Sequence, residues 1–247
     1  MLSKKISQKK KKGGLAEDRL ICRLPRAVGE PQDQQTQLYE ISWRIFRIMS
    51  EFVSGFQFLS TSSQEVTFWG SARLKPESPW YQEAVKLGAM LSKKGFTIIT
   101  GGGGGIMEAG NKGAYEAGGE SIGLNIELPF EQSVNQYVTK TQTFHYFFTR
   151  KVMMAASAQA YVFFPGGFGT LDEFFEIITL IQTKKMQCTP VVCVGHAFWD
   201  GLFEWSAKVQ RDDFQTIGPK DLELIQIVDT AEEAYKIVAR SKERSFF

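Results

Sequence analysis

From Ser60 onward, short runs rich in β-branched and aromatic residues alternate with stretches of helical period, and that alternation leaves very few architectures open. The strand-like runs fall near 65–70 (EVTFWG), 96–100 (FTIIT), 121–126 (SIGLNI), 160–164 (AYVFF), 189–194 (TPVVCV) and 225–229 (IQIVD), with an extra strand expected near 137–142. Helical periods lie near 79–94, 106–118, 147–158, 171–184, 198–210 and 230–241. Several strand runs are apolar throughout, as strands covered on both faces are. The pattern predicts an α/β fold: a doubly wound, Rossmann-like, mostly parallel sheet with helices on both faces. Ligands of such sheets bind at the carboxyl ends of the strands, so the turns that follow strands are where chemistry is to be sought.

Ahead of this region, residues 1–33 are polar, charged and punctuated by Gly13, Gly14, Pro25, Gly29 and Pro31, and read as a flexible basic lead-in. Residues 34–62 carry an N-terminal helical extension. Its apolar residues Leu38, Ile41, Ile45, Ile48, Phe52, Phe56 and Leu59 recur three or four apart, as on one helix face. That face can pack on its own domain or on a partner subunit. The division expected is therefore 1–33, 34–62 and a Rossmann-like unit over 63–247.

Composition narrows the function. The chain of 247 residues carries 29 basic against 27 acidic side chains, but six of the lysines lie within the first twelve residues. The remainder is thus mildly acidic, which argues against a nucleic-acid-binding body. The lysine cluster itself reads as a solvated arm; an RNA-associated role for it is the alternative. Cys22, Cys188 and Cys193 form no C-x-x-C pair and no disulfide framework, which fits a reducing, cytoplasmic setting. Glu17, Asp18 and Arg19 interrupt the stretch after the lysines, and no run has the length of a membrane span.

Two turns carry the chemistry. After FTIIT come five glycines, Gly101 to Gly105, and a helix opening at Ile106, Met107 and Glu108. Unhindered N–H groups at a helix N-terminus suit a phosphate. A Walker-type sequence is absent, and the dinucleotide pattern G-x-G-x-x-G fails because Ile106 stands at its third glycine, so ATP hydrolysis and NAD-linked redox chemistry lose support. After AYVFF comes Pro165-Gly166-Gly167-Phe168-Gly169-Thr170-Leu171-Asp172-Glu173. Gly166, Gly167 and Gly169 would present N–H groups there, and Thr170 a hydroxyl. Asp172 reads as an acid favoured by the helix N-terminus.

Glu173 sits beside this cradle, and Arg150 and Lys151 open the preceding helix, where the dipole prefers anions. That arrangement suggests a bound anion: Arg150 can hold a carboxylate or phosphate bidentately while Lys151 adds a compact charge, orienting Glu173 and a phosphorylated ligand. A surface ion pair is the competing reading, and the paired glycine turns favour a site. His145 and His196 lack ligand-like companions, and His145 reads as a packing or hydrogen-bonding residue. No metal or cofactor is called for.

The combined text TGGGGGIMEAGNKGA, LPFEQ, FFTRKVMM and FFPGGFGTLDEFFE resembles the LOG family, the phosphoribohydrolases that activate cytokinins, together with their bacterial relatives. The resemblance covers roughly residues 60 to 210, and P-G-G-x-G-T-x-x-E is its specific motif; the N-terminal helix looks like the extension of longer bacterial members. It implies hydrolysis of the N-glycosidic bond of a nucleoside 5′-monophosphate, of the AMP or N6-modified AMP type, to free base and ribose 5-phosphate. It implies Arg150 and Glu173 as the catalytic pair. Phosphate and substrate contacts are expected from Gly102, Gly103, Gly104, Gly105 and Met107, from Gly166, Gly167, Gly169 and Thr170, and from Lys151. Ser71 in FWGSAR, Glu131 in LPFEQ and Thr179 are further carry-overs. Met107, Phe148 and Phe168 can stack on a base or serve as core, and core is the ordinary use. The family also implies a homodimer with its site near the subunit boundary.

A breaking C1′–N bond builds positive charge on the ribose, which a nearby carboxylate stabilises, so the implied roles are chemically coherent. The label lysine decarboxylase, often attached to such relatives, requires a Schiff-base lysine under pyridoxal phosphate, and no residue here is identified as one. A non-catalytic nucleotide-binding or regulatory protein using the same pocket is the alternative; the carboxylate beside a polyanion cradle favours an enzyme.

Overall fold

A computed structural model describes residues 34–127 and 134–244, the side chains of α1 from Tyr39 on. The chain divides into two compact units, one ending at Arg44 and one running from Ile45. In the first, the opening turns of helix α1 (Gln34–Leu59) expose Tyr39, Ile41 and Trp43, with Tyr39 and Trp43 edge to face at 6.0 Å.

The second unit contains seven strands: β1 (Glu65–Trp69), β2 (Thr97–Thr100), β3 (Ser121–Ile126), β4 (Lys140–Phe144), β5 (Ala160–Phe163), β6 (Val191–Val194) and β7 (Ile225–Val228). All pairs are parallel, in the order β4-β3-β2-β1-β5-β6-β7. Winding proceeds outward from β1 to one side through β2, β3 and β4, then restarts at β5 on the other side. The switch point therefore lies between β1 and β5, paired from Val66 with Ala160 to Trp69 with Phe163.

The connecting helices are α2 (Pro79–Lys93), α3 (Ile106–Glu116), α4 (Phe147–Ser157), α5 (Phe168–Gln182), α6 (His196–Trp205) and α7 (Ala231–Val238). Alternation along the strands separates two cores. Val66 and Phe68 of β1 join Ile98, Leu87, Leu91 and Phe164 on one face, where α2, α3 and α7 pack. Trp69, Ile99, Tyr161 and Phe163 face the other, under Met153 and Met154 of α4, Phe174 and Ile177 of α5 and Trp199 of α6. Each such fully buried large side chain contributes about 1.5–3 kcal/mol. The doubly wound parallel sheet expected from the sequence is thus the fold observed.

The differences in detail have local causes. The extra strand lies at Lys140–Phe144 rather than 137–142: Asn135 Oδ1 accepts from Tyr137 N–H in a turn, and Thr139 exchanges hydrogen bonds with Ser121 before pairing proper begins. Helix α5 starts at Phe168, so the second glycine turn is itself the helix's first turn. Helix α6 gives way at Ser206 to a π-helical stretch reaching Asp213. The expected apolar stripe of α1 is only partly buried: Leu59 is buried and Phe52 packs against the core, whereas Ile45 and Phe56 stay exposed. In the first unit Ile41 is likewise exposed, and the Leu38 side chain lies outside the described residues.

Candidate active site

The glycine turns after β2 and β5 lie on either side of β1, and Ser71, just beyond β1, joins them. Its N–H donates to Pro165 O at 3.0 Å, and its carbonyl accepts from Ile106 N–H at 3.1 Å. One peptide segment therefore fixes the spacing of both turns. The approach is close enough to demand glycine at Gly105, which has φ 63° and where a Cβ would run into Ser71 O.

In the first turn the N–H of Gly102 points inward, to Thr100 Oγ1 at 2.9 Å. The N–H groups of Gly103, Gly104 and Gly105 have no acceptor among the described residues. The turn is held from beneath by a buried polar network that the sequence reading missed. Thr100 Oγ1 donates to Asn111 Oδ1 (2.5 Å), and Asn111 Nδ2 donates to Ser121 Oγ (2.8 Å). Asn135 Nδ2 reaches both Gly103 O and Asn111 Oδ1 at 3.0 Å, while Asn135 N–H donates to Gly102 O. The signal available was Asn111 itself, a polar residue on a helix face otherwise made of Ile106, alanines and glycines; its partner Asn135 is distant in sequence.

At the second turn, the backbone N–H groups of Gly166, Gly167, Phe168, Gly169 and Thr170 have no acceptor among the described residues, and Leu171 N–H begins the helical ladder on Gly167 O. This is a helix N-terminus with its orphan donors free for an anion. Thr170 is buried with its Oγ1 beside Gly166. Phe168 is 93% exposed and Phe148 is 48% exposed, so neither serves as core, contrary to the ordinary use expected of them. Met107 is half-buried, its sulfur against Gly101.

Arg150 approaches this crevice from the first turn of α4 and Glu173 from the second turn of α5. Arg150 Nε donates to Leu124 O of β3 at 2.8 Å, and its guanidinium lies over Gly101, where any Cβ would collide with it. Burial lowers the Arg150 pKa from its ordinary value, with the Glu173 charge opposing. Burial likewise pushes the Glu173 carboxyl up to about 7, with Arg150 pulling it back. No ion pair within 4.0 Å joins them among the described residues, so the two charges face each other across a gap.

Lys151 goes elsewhere. Its ammonium pairs with Asp172 at 2.8 Å and Glu176 at 3.5 Å, on either side of Glu173 along α5. Although burial lowers it, these carboxylates hold its pKa above the ordinary value. Because α5 starts at Phe168, Asp172 falls beyond its first turn and serves as the ion-pair partner of Lys151 instead of the first-turn acid expected from the sequence. Thr179 is not brought to the site: its hydroxyl donates to Phe175 O of its own helix, and it lies six residues past Glu173, about 9 Å along the axis. Glu131 lies outside the described residues. At the start of α4, Lys151 is paired with Asp172 and Glu176, and the helix N-terminus itself meets Glu51 of α1. The Glu51 carboxylate accepts from His145 N–H (2.7 Å) and the Thr149 hydroxyl (2.5 Å). His145 bonds Glu127 through Nδ1 at 3.2 Å, and no group of three or more metal-ligating side chains occurs among the described residues.

Comparison with known proteins places this arrangement. A family model described as "Possible lysine decarboxylase" matches residues 107–238. A cytokinin riboside 5′-monophosphate phosphoribohydrolase of Arabidopsis thaliana is 30% identical over 68% of this chain and 78% of its own length. One of that name from Mycobacterium marinum is 27% identical over 73% of this chain and 99% of its own. Among solved structures, the molybdenum cofactor carrier protein of Chlamydomonas reinhardtii superposes with a TM-score of 0.53 at 23% identity, covering 71% of this chain and 96% of that one, which is a likeness of fold. Since the matched segment runs from the helix behind the first glycine turn through Arg150, the second turn and Glu173, the chain belongs to the family of that model, the LOG family.

Proposed function

We propose that the chain hydrolyses the N-glycosidic bond of a nucleoside 5′-monophosphate of the AMP or N6-modified AMP type, releasing the base and ribose 5-phosphate. The observation that carries this reading is the half-buried Glu173 carboxylate, set opposite Arg150 and beside a helix N-terminus whose N–H groups have no acceptor among the described residues. Relatives named as phosphoribohydrolases support it.

The 5′-phosphate would take the N–H groups of Gly166 to Thr170, with Gly103 to Gly105 completing the cradle across β1. As the C1′–N bond lengthens, the ribose ring gains positive charge, which the ionised Glu173 stabilises. Water adds its oxygen to C1′ as the C1′–N bond breaks, Glu173 takes the proton that water releases, and that proton then passes to the departing base nitrogen, which regenerates the carboxylate. Arg150 steadies Glu173 and favours its ionised form against burial, and binding energy at the remote phosphate orients the reacting bond. Phe168 of the second glycine turn and Phe148 of the first turn of α4 are exposed and would offer faces for a base.

The test is release of free base and ribose 5-phosphate from a panel of nucleoside monophosphates by the intact chain and by Glu173→Ala and Arg150→Ala variants. Each variant should lose at least about a hundredfold in kcat. No turnover with nucleotide binding retained would instead favour a non-catalytic binding protein, a role for which the fold has precedent in the carrier named above.

A further inference from the structure

We propose that Glu51, on the helix preceding the sheet, is a positioning residue for Arg150: it clamps the segment from which α4 starts and thereby sets where the guanidinium stands. The inference rests on the reading of Arg150 and Glu173 as the reacting pair.

Helix α4 begins without a side-chain cap of its own, since Tyr146 occupies the N-cap position and contributes no capping bond. Glu51 supplies what is missing. Its Oε1 accepts from His145 N–H at 2.7 Å, and its Oε2 accepts from the Thr149 hydroxyl at 2.5 Å and, more weakly, from Tyr146 N–H at 3.4 Å. A carboxylate receiving orphan donors at a helix N-terminus is favoured both by hydrogen bonding and by the helix dipole. Thr149 is fully buried and directly precedes Arg150, and its one hydroxyl proton lies between Glu51 Oε2 and Tyr146 O, so Glu51 holds the start of α4 through His145, Tyr146 and Thr149.

The carboxylate can reach because α1 comes very close. At Gly55, one turn past Glu51, a Cβ would stand 2.6 Å from Met153 Sδ and 3.2 Å from Phe144, so α1 lies against α4 and the end of β4 with no room for a larger residue unless the Met153 side chain shifts. The Arg150 side chain has a single hydrogen-bond anchor among the described residues, Leu124 O on β3. The position of its head group therefore depends on where the α4 backbone is pinned, and Glu51 is the pin.

The test compares wild type with Glu51→Ala and Glu51→Gln, reading kcat, KM and the titration midpoint of Glu173 followed by carboxyl 13C NMR and assigned with Glu173→Gln. The groups facing Glu173 are Arg150 and Lys151 from α4 and Asp172 and Glu176 from its own helix. If Arg150 drifts away, the midpoint must rise, because its charge is the strongest influence holding the carboxyl down. Glu51→Ala is expected to lower kcat roughly ten- to a hundredfold, with KM within about twofold because the phosphate cradle belongs to other elements, and to raise the Glu173 midpoint. Glu51→Gln keeps the volume and one acceptor but turns a donor toward Thr149 and Tyr146, so it should fall between, with both readouts moved in the same directions. A folded Glu51→Gln with the wild-type midpoint and kcat overturns the proposal, whether or not Glu51→Ala folds. If wild type turns over no nucleotide but the midpoint still rises in the variants, the hydrolase reading fails and the positioning role stands.

Discussion

At the scale of single residues, Glu173 and its surroundings make the sharpest statements. Its carboxyl sits at about 7 in the folded chain against an ordinary 4.5. Between those values the folded state keeps a proton that the unfolded state has released, so stability falls as pH rises through that window and the loss is complete above it. Glu173→Gln should therefore be more stable than wild type by about 1–3 kcal/mol at about pH 8, with the gain fading toward about pH 4.5, as urea unfolding at several pH values would show. The same ionisation should give kcat an acid limb with its midpoint near 7; a rate already at its plateau by about pH 5 would mean that Glu173 does not act as a carboxylate. Lys151 shows where residue-level reading stops. Its placement beside Arg150 suggested a ligand or Glu173 as partner, yet Asp172 and Glu176 take it. Which face of α5 meets α4 is decided by packing of Phe174 and Ile177 into the core, and no spacing within either helix contains that information.

At the scale of elements, most strands were legible because they are short runs rich in β-branched and aromatic residues, and the glycines that follow β2 and, after Phe164 and Pro165, β5 put both turns at the carboxyl edge. The edge strand β4 was less so, because Lys140, Thr141 and Thr143 are exposed and supply no apolar alternation. The start of α5 was misplaced because glycines normally oppose helix, whereas here Gly167 is the N-cap and Gly169 already helical. What supports the first turn, the Asn111–Asn135 pair, and what caps α4, Glu51, are polar contacts between distant elements that no local pattern announces. Gly105 offers an element-level test. Its φ of 63° and its contact with Ser71 O leave no space for a methyl group. Gly105→Ala should cost at least about 2 kcal/mol in denaturant unfolding and reduce nucleotide affinity, since it pushes apart the two turns that Ser71 ties. An unchanged midpoint of unfolding would show that the turn relaxes freely.

At the scale of the whole molecule, large aromatic side chains remain uncovered at the starts of α4 and α5: Phe147, Phe148 and Phe168 are 63%, 48% and 93% exposed. Surfaces of this kind mark association. Sedimentation velocity at micromolar concentration should give at least a dimer of the 27.8 kDa chain, and a single species of monomer mass would count against self-association. No helix among the described residues is long and apolar enough to cross a membrane. The switch point between β1 and β5 has a consequence for the order of events in synthesis. Strand β1 emerges from the ribosome first of the seven yet lies at the centre of the sheet, and its second neighbour arrives only with Ala160 to Phe163. Until then the nascent chain holds the first glycine turn and Arg150 but neither the second turn nor Glu173, with one edge of β1 unpaired. The crevice comes into existence in a single late step, when β5 closes that edge, and such long-range closure is the slow part of folding a parallel sheet.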